Sequence, residues 1–101
     1  MKEAALVRQI LAYLAGLPHC YAQKRTPSFT YGHRGNPDIY GSIKGRHFEG
    51  RHFELEVKVP GKKPTLLQAM MLERWRHAGA VTGVVSSVGD VAALFKRARL
   101  L

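Results

Sequence analysis

The stretch Phe53-Glu54-Leu55-Glu56-Val57-Lys58-Val59 alternates apolar and charged residues without interruption. Side chains of a β-strand point to opposite faces with a period of two. Burying Phe53, Leu55, Val57 and Val59 therefore gathers Glu54, Glu56 and Lys58 on the other face. Upstream, Asn36-Pro37-Asp38 leads into a second short strand from Asp38 to Ile43. Its period places Ile39, Gly41 and Ile43 on one face and Asp38, Tyr40 and Ser42 on the other. If the two strands pair as a hairpin, Asp38 reaches the face that carries Glu56 and Lys58. Glu-x-Lys alone is also what the wet side of a half-exposed sheet looks like, so its weight comes from Asp38 and from the rest of the chain.

Between the two strands the sequence copies itself: Gly45-Arg46-His47-Phe48-Glu49 is followed at once by Gly50-Arg51-His52-Phe53-Glu54. Two copies are too few for a repeat architecture, which needs several stacked units. An odd-numbered insertion inside a strand would reverse the facing of everything beyond it, whereas a lengthened turn absorbs it. The extra residues are therefore expected at an extended hairpin tip, with His47 and His52 in a basic, solvated setting.

From Lys2 to Leu17, Leu6, Val7, Ile10, Leu11 and Leu14 recur at helical spacing, and Gly16 and Pro18 supply a stop. Glu3 falls on the side of this helix that should be buried, where a carboxylate is costly unless paired or metal-bound; the alternative is an acid in the first turn, favoured by the helix dipole and turned to solvent. Tyr21 to Arg25 fits a strand, and Pro27, Gly32 and Gly35 mark a loop made basic by Lys24, Arg25, His33 and Arg34. With Tyr21, Phe29 and Tyr31 interleaved, this segment suits a phosphate backbone with base stacking, or else a solvated loop with its aromatics tucked in.

After a Pro60-Gly61-Lys62-Lys63-Pro64 turn, Thr65 opens a helix to about Ala78 with Leu67, Met71 and Trp75, flanked by Met70 and Leu72, as its apolar side. Thr65 and Gln68 match a capping box. Gly79 ends that helix, and Ala80 to Ser86 read as a short buried strand. A strand, helix, strand succession favours a parallel crossover. Ser87 to Asp90 repeats the capping pattern ahead of a last helix bearing Val91, Leu94 and Phe95, with a basic end at Lys96, Arg97 and Arg99. The element order is thus α-β-β-β-α-β-α in one α/β domain over residues 1–101.

The chain has 16 Lys and Arg against 7 Asp and Glu, a formal charge of +9. Such an excess in a small domain points to a polyanionic partner, nucleic acid before an acidic membrane surface. A single cysteine, Cys20, excludes an internal disulfide and a cysteine-built zinc site and suits a reducing compartment. No signal peptide is evident, and no apolar stretch approaches the roughly 20 residues of a membrane helix. A cytoplasmic location and no membrane partner are expected.

Taken together, Glu3 on a first helix, Pro37-Asp38, Glu56-x-Lys58, a Gly-Lys turn and Gln68 on the next helix resemble the virus-type replication-repair nuclease (VRR-NUC) domain, a family of the PD-(D/E)xK nucleases. The resemblance runs from about Glu3 to Phe95 and is strongest from Gly35 to Gln68. The tandem copy departs from it. It implies a restriction-endonuclease-like core, a mixed central sheet flanked by helices. It also implies Asp38 and Glu56 as metal carboxylates, Val57 offering its carbonyl, Lys58 as the catalytic lysine, and Glu3 and Gln68 in the family's remaining positions. Mg²⁺ or Mn²⁺ is the implied cofactor, and branched DNA such as a Holliday junction, cut by a homodimer, the implied substrate. The residue types are chemically apt: hard oxygen ligands suit a divalent ion that offsets phosphodiester charge, and a fixed cation stabilises the transition state. Arg25, Arg34, Lys44, Arg46, Arg51, Lys62 and Lys63 are the candidates for sequence-independent backbone contacts. The competing expectation is a non-catalytic nucleic-acid-binding module whose Glu54, Glu56 and Lys58 are a solvated face. A ribonuclease on the same fold is a third.

Overall fold

The computed structural model describes residues 1–26, 34–45 and 49–101. Along the chain these form α1 (Glu3–Ala15), β1 (Cys20–Lys24), β2 (Ile39–Ile43), β3 (Arg51–Val57), α2 (Leu66–His77), β4 (Val81–Val85) and α3 (Val88–Arg97). The four strands make one open mixed sheet in the order β1-β2-β3-β4. β1 pairs antiparallel with β2 and β2 with β3, whereas β4 lies parallel to β3. The parallel pair is the one bridged by α2, as its connection length requires.

One face of the sheet carries the core. Ile39, Ile43, Phe53, Leu55, Val57, Val81 and Val85 pack there with Leu6, Val7, Ile10 and Leu14 of α1, Val91 and Phe95 of α3, and Leu100. The rings of Phe53 and Phe95 meet edge-on at 5.0 Å between centroids. Gly41 makes room for Phe53, since a Cβ at that position would stand 2.7 Å from its Cζ. α1 ends at Gly16, and His19 takes a left-handed φ of 54° to turn the chain into β1.

α2 lies over the opposite face, where Trp75 packs its ring 5.2 Å from that of His52. Thr65 caps this helix reciprocally with Gln68, so the capping box expected from sequence is formed. At α3, Ser87 accepts from the Asp90 N–H, but the Asp90 carboxylate reaches past the cap to the Ser86 N–H.

Three expectations need correction. The apolar side of α2 is narrower than its composition indicates: Met71 and Leu72 are buried, but Leu66, Leu67 and Met70 are 79%, 45% and 53% exposed. β4 is not buried throughout, because it is an edge strand and its Val84 is exposed. The third concerns the charged face of β3, which is not wet. Glu54 and Glu56 are as inaccessible as the core residues between them, because α2 and the 36–38 segment cover that side.

The first copy of the tandem repeat lies in the connection between β2 and β3, of which residues 46–48, including His47, fall outside the described residues. The β2–β3 pairing runs without a break from Ile39↔Leu55 to Ile43↔Arg51. Phe53, Leu55 and Val57 consequently keep their place in the core, and Glu56 keeps the opposite face. Among the described residues no helix is long and apolar enough to cross a membrane.

Candidate metal centre

The pairing of β2 with β3 ends at Ile39↔Leu55. The next residues, Asp38 and Glu56, sit where the two strands stop exchanging ladder hydrogen bonds. Asp38 closes the gap with its side chain, accepting the Val57 N–H on Oδ2 at 2.8 Å. The start of α1 brings in a third acid. One carboxylate oxygen from each of Glu3, Asp38 and Glu56 lies within 4.8 Å of the other two. Glu3 is therefore turned towards the sheet rather than away into solvent.

Glu56 is the anomalous member. It is 1% exposed, and neither carboxylate oxygen accepts a hydrogen bond. The Lys58 ammonium stands 3.8 Å from Oε2, close enough for attraction and too far for a hydrogen bond. Burial pushes the Glu56 carboxyl up from its ordinary 4.5 to about 8, reinforced by Asp38 and Glu3 and partly opposed by Lys58. A hydrogen bond between Glu56 and Asp38 would need a proton on one of them. A buried charge with so little compensation is strongly disfavoured; a proton on Glu56 relieves the cost in the metal-free chain, and a cation among the three acids would relieve it in the proton's place. The donor set fits a hard divalent ion: all three side chains offer oxygen, and the half-exposed Glu3 and Asp38 leave a way in. Lys58 is held on the same face as Glu56, its backbone N–H continuing the ladder to the Val85 carbonyl at 3.0 Å.

Next to this centre, and on the same face, lies a second buried carboxylate with the opposite character. Glu54 is fully buried and saturated, accepting from both terminal nitrogens of Arg25 and contacting Nε2 of His52. The guanidinium of Arg25 also donates to the Pro37 carbonyl at 2.8 Å and lies over the rings of Tyr40 and Trp75, 4.6 and 5.5 Å from their centroids. Trp75 donates its indole N–H to Asn36 Oδ1 at 3.0 Å.

The residues picked out from sequence thus separate. Glu3, Asp38, Glu56 and Lys58 converge, with Val57 between the last two and its N–H committed to Asp38. Gln68 spends its side-chain carbonyl on the Thr65 N–H at 2.9 Å, and this capping bond is not directed at the carboxylates. Arg25, expected on a phosphate-binding loop, is engaged with Glu54 instead, a contact between residues 29 apart that no local pattern reveals. Arg34, Lys62 and Lys63 are exposed on segments adjoining the acidic end of the hairpin. Lys44 and Arg51 are exposed too, but at its other end, where Ile43 pairs with Arg51. A five-residue strand spans about 17 Å, so these two do not flank the carboxylates. Arg51 donates to the Gly79 carbonyl at 3.0 Å. Arg46 lies outside the described residues. Sequence reasoning missed the Arg25–Glu54–His52–Trp75 cluster. Its one visible signal was an acid in line with Glu56.

In comparisons with known proteins, no family model matches the chain and no curated protein matches it.

Proposed function

We propose that this chain is a metal-dependent nuclease that hydrolyses phosphodiester bonds at the Glu3–Asp38–Glu56–Lys58 centre. The observation that carries the reading is Glu56, a carboxyl taken out of water with no N–H donor within hydrogen-bond distance, set against two further acids and a lysine 3.8 Å away. A structural carboxylate in such a place would be satisfied as Glu54 is. The four-stranded mixed sheet with helices on both faces, and acids where two antiparallel strands part, supports the reading of a restriction-endonuclease-like PD-(D/E)xK core. The VRR-NUC assignment within that class rests on the sequence motifs.

Glu3, Asp38 and Glu56 would hold Mg²⁺ or Mn²⁺, with the Val57 carbonyl as a further oxygen. When bound, the ion offsets phosphodiester charge and makes water more acidic. Lys58 positions the attacking water or stabilises the charge that develops on the phosphoryl oxygens, where a pre-placed cation in a water-poor setting is most effective. Gln68 acts in this reading through its amide NH₂, since its carbonyl belongs to the helix cap. Arg34, Lys62 and Lys63 grip the phosphate backbone near the centre, while Lys44 and Arg51 extend the basic surface beyond it. The substrate is branched DNA, and a two-fold dimer would present two such centres to it. The site of action is the cytoplasm.

The test is cleavage of duplex, flap, single-stranded and four-way DNA with Mg²⁺ or Mn²⁺. Asp38→Ala and Glu56→Ala should each abolish cutting while DNA is still bound. Undiminished cutting by both variants would reject the nuclease reading. DNA binding without cutting by the unaltered chain would favour the non-catalytic module.

A further inference from the structure

The β2–β3 ladder stops one residue short of the proposed metal ligands Asp38 and Glu56, and beyond it the bond from the Val57 N–H to the Asp38 side chain ties the two strands. Arg25 adds a second tie, through the main chain on both sides of Asp38. Its backbone N–H donates to the Asp38 carbonyl at 2.7 Å, and its guanidinium donates to the preceding carbonyl, that of Pro37, at 2.8 Å. One residue thus holds the peptide units on both sides of Asp38. The same guanidinium forks onto Glu54, two residues before Glu56 on β3, with Nη2 to Oε2 at 3.1 Å. Tyr40 and Trp75 confine the guanidinium plane, and the Trp75 bond to Asn36 ties the same segment to α2.

From this we infer that Arg25 is a positioning residue for the metal centre, a cross-brace that sets Asp38 against Glu56 through Glu54. The inference rests on the metal reading above. Glu54 is the counter-ion of the brace and not a ligand, because Arg25 and His52 occupy its oxygens. A planar fork can bind a carboxylate through two parallel bonds and still reach a third acceptor, whereas a lysine ammonium is a point charge. Groups that orient metal ligands typically account for about 10- to 100-fold in metal affinity.

The experiment is calorimetric titration of the full chain with Mn²⁺ at pH 8, alongside circular dichroism and denaturant unfolding. Arg25→Lys should fold with unchanged helix and strand content and bind Mn²⁺ about 10- to 100-fold more weakly. Glu54→Gln leaves Arg25 in place and should give the same loss; it carries the test if the lysine variant does not fold. The double variant should be no weaker than the worse single one, because both remove one brace. Val91→Ala, a core truncation away from the centre, should lower stability and leave Mn²⁺ affinity unaltered. Mn²⁺ affinity within about twofold of the unaltered chain in folded Arg25→Lys or Glu54→Gln would overturn the brace. So would an equal loss in Val91→Ala, which would show general loosening. An unaltered chain that fails to bind Mn²⁺ at all would remove the metal reading itself.

Discussion

Glu54 and Glu56 lie two residues apart on one strand, on one face, and both are withdrawn from water. One is surrounded by donors and the other has none. Burial of a carboxylate is tolerable when its lone pairs and charge are met, and a chain that meets them at Glu54 had the means to do so at Glu56. The difference separates a carboxylate that holds the fold from one that, in the proposed function, awaits a cation. The saturated one also holds Arg25, which donates to the carbonyls of Pro37 and Asp38.

The comparison breaks most visibly in activity. Glu56→Gln should abolish Mn²⁺-dependent cleavage of four-way DNA and leave the fold intact, whereas Glu54→Gln should only weaken it, as initial rates at saturating metal would report. In stability the ranking reverses. Glu54→Ala strands a largely buried guanidinium and should cost about 3 kcal/mol in urea unfolding, the lower end for breaking a buried pair, because Arg25 keeps some solvent contact. Glu56→Gln removes an uncompensated buried acid and should not destabilise the metal-free protein.

A smaller effect follows pH. Glu56 has a folded-state value of about 8 against an ordinary 4.5, so between these limits the folded chain binds more protons than the unfolded one. Stability of the metal-free protein should therefore fall as pH rises through that window and level off above it, and Glu56→Gln should flatten the decline in unfolding curves. Because the proton must leave for a metal to enter, Mn²⁺ binding at pH 7 should release protons, measured by calorimetry in buffers of different ionisation enthalpy, and Glu56→Gln should remove that release. The smallest change concerns the basic surface: Lys62→Ala should reduce the slope of log affinity against log salt for duplex DNA by about 0.9 if that side chain contacts a phosphate.

Much of this arrangement was legible because it is local. The alternation of residues 53–59 placed Phe53, Leu55 and Val57 in the core and Glu56 on the far face, and the spacing of Leu6, Val7, Ile10 and Leu14 placed α1 on that core. Thr65 and Gln68 announced a helix cap, which also bears on how Gln68 is used. What sequence could not show was depth. The face with Glu54 and Glu56 reads as solvated until α2 and the Asn36–Asp38 segment are laid over it, and contacts such as Arg25 with Glu54 or Trp75 with Asn36 join residues 29 and 39 apart. The same absence of depth made Leu67 and Met70 look like part of the buried side of α2, although both are exposed. Lys44 and Arg51 were grouped with the site by their nearness in sequence to a hairpin whose length carries them away from it.

If the buried carboxyl of Glu56 is a place for a divalent ion, metal binding must depend on it. Mn²⁺ titration of the metal-free chain at pH 8, followed by calorimetry and by the shift in unfolding midpoint, tests it directly. Saturable binding should raise the midpoint in the unaltered chain and be lost in Glu56→Gln, while Glu54→Gln should still bind, more weakly. Equal Mn²⁺ stabilisation of the unaltered chain and Glu56→Gln, or none in either, would contradict it.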